Sequence, residues 1–291
     1  MADFLVIGAL ALDRPVWLEG HLEKGGRVTG RSLEARLAPR LGGGGANAGV
    51  ALHKAGHHVR LASLVAGDAG GDEAIAMAAA AGLNVALVGR RPGESRTTLI
   101  LIEPDGERVV MGLDLDRGRL VLPPLPAPED HPEVRPGGLY LRAAFPGAEA
   151  WAAVSRGPVV VHWPAPHYRG RADVVVCSAD DLDPATLEAP FAAAQAVFGA
   201  ALRAIVVTHG AAGASAYSHS APVTVRPPAA KVVDATGAGD VFAAGLLEAL
   251  SAGADMEPAL IQACAWGAVT VGLSSSAPVD AGPGLYRPYQ A

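Results

Sequence analysis

Residues 234–240 read Asp-Ala-Thr-Gly-Ala-Gly-Asp and run directly into the apolar stretch 241–250. A helix that begins near Asp240 leaves its first amide N–H groups without intrahelical partners. Gly237, Ala238 and Gly239 carry no bulky side chain, so an anion can approach those amides directly. A carboxylate at the edge of such a cradle can accept the proton of a hydroxyl that attacks the cradled group. The plainer alternative, a glycine turn closed by an aspartate N-cap, leaves the Gly-Ala-Gly run and Thr236 unexplained.

A second constellation, Leu-Gly-Gly-Gly-Gly-Ala-Asn at 41–47, precedes an alanine-rich helical pattern that stops at Gly56. Consecutive glycines let a substrate lie against the main chain, and Asn47 offers both a donor and an acceptor at the helix start. A linker would not run straight into so strong a helix pattern. Asp13 follows the first strand pattern, and its two oxygens can accept from two adjacent hydroxyls. At 206–217, Val-Val-Thr-His-Gly-Ala-Ala-Gly-Ala-Ser-Ala-Tyr continues a strand into a glycine turn, which alone is ordinary. The histidines carry less. His53 and His57 would share a helical face only if Gly56 did not end the helix, and no glutamate accompanies them as in H-E-x-x-H, so a solvated helix end is expected. His162 and His167 flank Trp163 in a strand-end loop that can border a site.

The elements that would hold these residues follow from periodicity. Six short apolar runs, at 4–10, 59–65, 138–145, 158–163, 172–178 and 204–210, have the character of strands buried on both faces. Helical spacing over 46–56, 71–82 and 183–198 separates several of them, which predicts an α/β fold with a mostly parallel sheet between two helical layers. Segments 13–40 and 94–115 break the rhythm. Polar–apolar alternation around Pro104-Asp105-Gly106 predicts a hairpin, and both segments are expected to form a small separate sheet acting as a lid. The proline-rich stretch 120–138 is expected to be a surface connection. Residues 1–291 are expected to form one unit.

A net charge of −6 without a basic stripe argues against a nucleic-acid partner. The two cysteines, Cys177 and Cys264, lie in apolar runs, as reduced core thiols of a cytoplasmic protein would. The N-terminal residues lack the basic start of a signal peptide, and their apolar run has strand length, so neither secretion nor a membrane span is expected.

Asp-Ala-Thr-Gly-Ala-Gly-Asp resembles the C-terminal D-T-x-G-A-G-D signature of the ribokinase-like (PfkB) carbohydrate kinases, departing at Ala235. The glycine run through Asn47 resembles the family's N-terminal signature, and "LASLVAGDAGGD" at 61–72 its G-x-D-x-x-G segment. The resemblance runs from Asp13 through the helical pattern at 257–273, with both signatures in the expected order. It implies a ribokinase-like three-layer α/β/α fold and ATP-dependent phosphorylation of a small sugar-like substrate, with Asp240 as catalytic base and the 237–240 amides as anion hole. It also implies sugar contacts from Asp13, Gly43, Gly44 and Asn47, and nucleotide contacts from Thr208, Gly210, Gly213 and Thr236. Mg²⁺, a monovalent cation such as K⁺ near Asp234 and Thr236, and a homodimer through the lid sheets complete the implication. Many relatives carry N-x-x-E where this chain has Ser-Ala-Asp-Asp, so Ser178 and Asp181 occupy those places and Asp181 is the candidate for the metal. Ribokinase-type members also carry asparagine at the place of Ala11 and lysine at that of Gly44, which argues against ribose itself. Arg96 lies where relatives acting on sugar phosphates bind the phosphate; Arg31 and Arg142 are weaker candidates of that kind. A nucleoside or sugar-phosphate kinase, and a non-catalytic sugar- or nucleotide-binding protein on the same fold, are the alternatives.

Overall fold

The computed structural model describes residues 1–22, 29–31, 39–95, 97–105, 108–113, 121–282 and 284–290. Its first half contains β1 (Asp3–Ile7), β2 (Ala11–Leu18), β3 (Gly30–Arg31), β4 (Arg40–Gly42), α1 (Gly44–Lys54), β5 (His58–Ala66), α2 (Ala69–Ala80), β6 (Asn84–Arg91), β7 (Thr97–Ile102) and β8 (Arg108–Leu113). Then follow β9 (Gly138–Leu141), α3 (Ala148–Val154), β10 (Val159–His162), β11 (Val174–Ser178), α4 (Pro184–Glu188), α5 (Pro190–Phe198), β12 (Ala204–Thr208), β13 (Ala214–Tyr217), β14 (Val223–Val225), α6 (Ala238–Ser251) and α7 (Met256–Val271).

The six apolar runs become β1, β5, β9, β10, β11 and β12, which lie side by side in a sheet of order β14-β13-β12-β11-β10-β9-β1-β5-β6. Pairing is parallel from β6 to β12, and β13 and β14 extend it antiparallel. Alternation along each strand divides the apolar residues between two cores. Phe4, Val6, Tyr140, Val174 and Val176 face Leu52 of α1, Leu246 of α6 and Trp266 of α7. Leu5, Ile7, Leu141, Val175 and Cys177 pack with Trp151 of α3 and Ala194 of α5 on the other side. Each large side chain buried this way contributes roughly 1.5–3 kcal/mol, which is why strands apolar on both faces demand two helical layers.

The second sheet has the order β3-β2-β7-β8, with β4 paired to β2. β7 and β8 form the expected hairpin, antiparallel with Thr97 opposite Leu113. Asp68 ties this sheet to the main body. It caps α2 by accepting from the Gly71 N–H, and also accepts from the N–H and hydroxyl of Ser95, just ahead of β7. Those bonds, led by the Ser95 hydroxyl, lower its pKa to about 2.

Three expectations need correction. The single helix over 183–198 is two, α4 and α5, because Ala189 leaves helical geometry ahead of Pro190. The proline-rich stretch is more than a surface connection: Leu125 and Val134 belong to the second core, and the Pro126 carbonyl accepts from the Trp151 indole. His57 is buried instead of solvated, with Nε2 3.2 Å from Glu248 Oε1 and Nδ1 accepting from the Ala2 N–H. Among the described residues no helix is long and apolar enough to cross a membrane.

Candidate active site

The carboxyl ends of the parallel strands converge on one region, the usual place for a site in an open α/β sheet. Arg142 follows β9 immediately, and its N–H donates to the Ile7 carbonyl at the end of β1 (2.7 Å). His162, Ser178 and Thr208 are the last residues of β10, β11 and β12.

Helix α6 starts at Ala238 with Gly237 as N-cap, at φ 81° and without a side-chain cap bond. Asp240 is therefore the third helical residue and not the cap, and its carboxylate turns across to other elements. Asn47 Nδ2 donates to Oδ2 (2.9 Å) and Arg142 Nε to Oδ1 (2.7 Å). Asn47 reaches Asp240 because α1 starts at Gly44 behind a Gly43 cap at φ 88°, a backbone setting that favours glycine. Asn47 Oδ1 is buried with no partner among the described residues, a buried acceptor left unsatisfied by the protein groups described.

The glycine run is bare for a reason its sequence did not reveal: protein atoms fill most of the space above it. A Cβ on Gly44 would lie 2.6 Å from Arg142 Cγ and 2.8 Å from Asp240 Oδ1. One on Gly42 would strike the Asp13 carboxylate, and one on Gly43 would lie 2.5 Å from the Ala9 carbonyl. At Gly239, by contrast, a Cβ meets nothing within 4 Å, so packing does not require glycine there and the amide at the start of α6 stays accessible.

Asp13, in β2, is buried, and its Oδ2 accepts from the Ser276 hydroxyl (3.0 Å). Burial is the main cause that raises its pKa to about 6; the Ser276 bond and Arg40 oppose the rise, and Asp234 and Asp240 add to it. The Ser276 carbonyl also stands 2.5 Å from where a Gly237 Cβ would be, so this residue joins the Asp13 side of the site to the α6 cap. Nothing in the Ser-Ser-Ser run at 274–276 signals that role. No local pattern marks Arg142 as a partner of Asp240, since only the fold brings the end of β9 there.

Thr208 uses its hydroxyl internally, donating to the Cys177 carbonyl at 3.2 Å, and Gly210 and Gly213 shape the following turn at φ 54° and 105°. The Thr236 N–H donates to Asp234 Oδ1 (2.8 Å), while the Thr236 hydroxyl is buried without a partner among the described residues. Asp181 is exposed at the end of a short 3-10 turn after β11, and its charge acts on Arg142. It is a single carboxylate, which fits a Mg²⁺ held largely by water and phosphate oxygens better than a protein cage. Burial foremost, then Arg142, lowers the His162 pKa to about 4, so the ring is neutral at physiological pH; its Nδ1 lies 3.1 Å from the Tyr140 hydroxyl. Arg96 lies outside the described residues, and of Arg31 only the backbone is described.

A large, mostly parallel sheet between helices, with a small separate sheet beside the strand ends, defines a ribokinase-like α/β protein. Ribokinase from Thermotoga maritima has this fold, with a TM-score of 0.73 at 19% identity over 98% of each chain. So does Arabidopsis thaliana ribokinase, solved with ribose and ATP, with a TM-score of 0.73 at 18% identity over 96% of this chain and 95% of that one. The chain belongs to the pfkB family of carbohydrate kinases, whose profile matches residues 2–131 and 164–280. A fructokinase of Rhizobium leguminosarum bv. trifolii is 42% identical over 83 residues, a match that spans 28% of this chain and 25% of that protein.

Proposed function

We propose that the protein transfers the γ-phosphoryl group of ATP to a hydroxyl of a small sugar or sugar-like substrate. The observation that carries this reading is the setting of Asp240: one turn into a glycine-capped helix, with one oxygen bonded to α1 and the other to the end of β9. Asn47 and Arg142 hold the carboxylate in orientation, so that it can take the acceptor's proton as the hydroxyl oxygen attacks phosphorus. The 237–240 amides and the N-terminal dipole of α6 stabilise the charge on the transferred group. Asp13, Gly43, Gly44 and Asn47 orient the sugar, and Thr208, Gly210, Gly213 and Thr236 border the nucleotide. Asp181 would help hold Mg²⁺, which would supply positive charge to the nucleotide phosphates. The buried Asp234 carboxylate and the Thr236 hydroxyl, which has no partner among the described residues, suit a monovalent cation such as K⁺. The smaller sheet acts as a lid within one unit formed by the whole chain, excluding water from the transfer.

The test is ADP release from ATP and Mg²⁺ across sugars, sugar phosphates and nucleosides. Turnover on at least one acceptor is expected, and Asp240→Asn should lower kcat by about 10²–10⁴-fold. Full activity in that variant removes the assigned base. Acceptor binding without ADP release across the panel favours a binding protein on the same fold.

A further inference from the structure

We propose that Arg142 forms a subsite for an oxyanionic group on the acceptor, a carboxylate or a phosphate, and thereby sets which sugars the enzyme takes. The inference rests on the kinase reading and names the acceptor class for that same site. The guanidinium is held at one edge and open at the other. Nε is fixed to Asp240 Oδ1 at 2.7 Å, and the stem lies against Gly44, where a Cβ would come within 2.6 Å of Cγ. The side chain nevertheless remains 39% exposed, and its two terminal nitrogens make no hydrogen bond among the described residues.

Those nitrogens present parallel N–H groups with the spacing of carboxylate or phosphate oxygens. Because Asp240 and Gly44 already restrain the stem, little side-chain entropy remains to be lost when an anion docks. A neutral sugar needs no such fork, and its hydroxyls would leave most of the donors unpaired at the mouth of a half-buried site. The neighbouring His162 is neutral and so does not repeat this charge. Arg142 also lies between residues 131 and 164, outside the two stretches that match the family, whereas Asp13, Asn47 and Asp240 lie inside them.

The experiment measures kcat/KM with ATP and Mg²⁺ on matched acceptors: D-ribose, D-ribonate and D-ribose 5-phosphate, then D-glucose, D-gluconate and D-glucose 6-phosphate. Equilibrium binding of the same six compounds without ATP is measured alongside. Wild type should favour an anionic member over its neutral counterpart by about tenfold or more, on at least one skeleton. Preference for the acid assigns a carboxylate, and preference for the ester a phosphate. Arg142→Met keeps the stem against Gly44 without the charge and should abolish that preference; Arg142→Lys, a point charge without the fork, should restore only part of it. Equal use of neutral and anionic members, or a preference that survives Arg142→Met, overturns the proposal. If no compound is turned over, the kinase reading fails, and the binding preference and its loss in Arg142→Met still decide whether the subsite exists.

Discussion

Asp13, the proposed sugar contact, is buried at a cost to stability. Its pKa is raised from 3.8 to about 6 in the folded protein, so the native state holds this proton more tightly than the unfolded chain does. Its contribution to stability therefore falls as pH rises from about 4 to 6, and at neutral pH the ionised carboxylate is held against its own burial. Asp13→Asn should stabilise the protein at pH 7 by on the order of 2 kcal/mol while raising KM for the sugar. Urea midpoints at pH 7 and below pH 4 check this, because the gain should vanish at the lower pH. Gly44 makes a complementary case. Gly44→Ala would push Arg142 and Asp240 apart, and a displacement of that kind should cost roughly ten- to a hundredfold in kcat. Unchanged kinetics would mean that the Arg142 side chain adjusts without disturbing Asp240.

The helices do more than cover the sheet. α1 and α6 each begin at a left-handed or positive-φ glycine, Gly43 and Gly237, which brings Asn47 and Asp240 together at their first turns. Deeper in α6, Glu248 accepts from His57, from the Gln262 amide of α7 and from the Tyr289 N–H, joining both ends of the chain to the helical layer. Burial alone would raise the Glu248 pKa, but the bonds from His57, Tyr289 and Gln262 prevail and hold it below the usual value. Its contribution is thus complete above 4.5, the ordinary glutamate value, and lost as pH falls through the lower folded value. Glu248→Gln should destabilise the protein by about 1–3 kcal/mol at pH 7, and the difference should shrink in acid as the wild-type carboxyl takes up its proton. Paired denaturation curves at pH 7 and pH 3.5 measure it.

Across the whole molecule, β8 is the outermost described strand of the smaller sheet, with Val109, Val110 and Met111 exposed by 43%, 55% and 43%. Exposed apolar side chains on an open strand edge favour association, which accords with the expected homodimer through the lid. Sedimentation should then give about twice the 29.4 kDa chain mass, and Val110→Lys should shift the protein to monomer. A monomer at micromolar wild-type concentration would overturn that arrangement.

The sequence by itself determined the local choices. Strands apolar on both faces required helices on two sides, Pro104 and Asp105 marked the hairpin, and two glycine-led helix starts marked where chemistry could occur, because such signals reside in neighbouring residues. Only the tertiary structure decided what those signals meet. Asn47 and Asp240 are 193 residues apart, Arg142 and Asp240 98, and Ser276 and Asp13 263. His57 likewise gave no local sign that folding would bury it beside Glu248. Pairings of that kind depend on strand order and helix packing, and a periodicity carries no record of which distant residue will fill the space above a glycine.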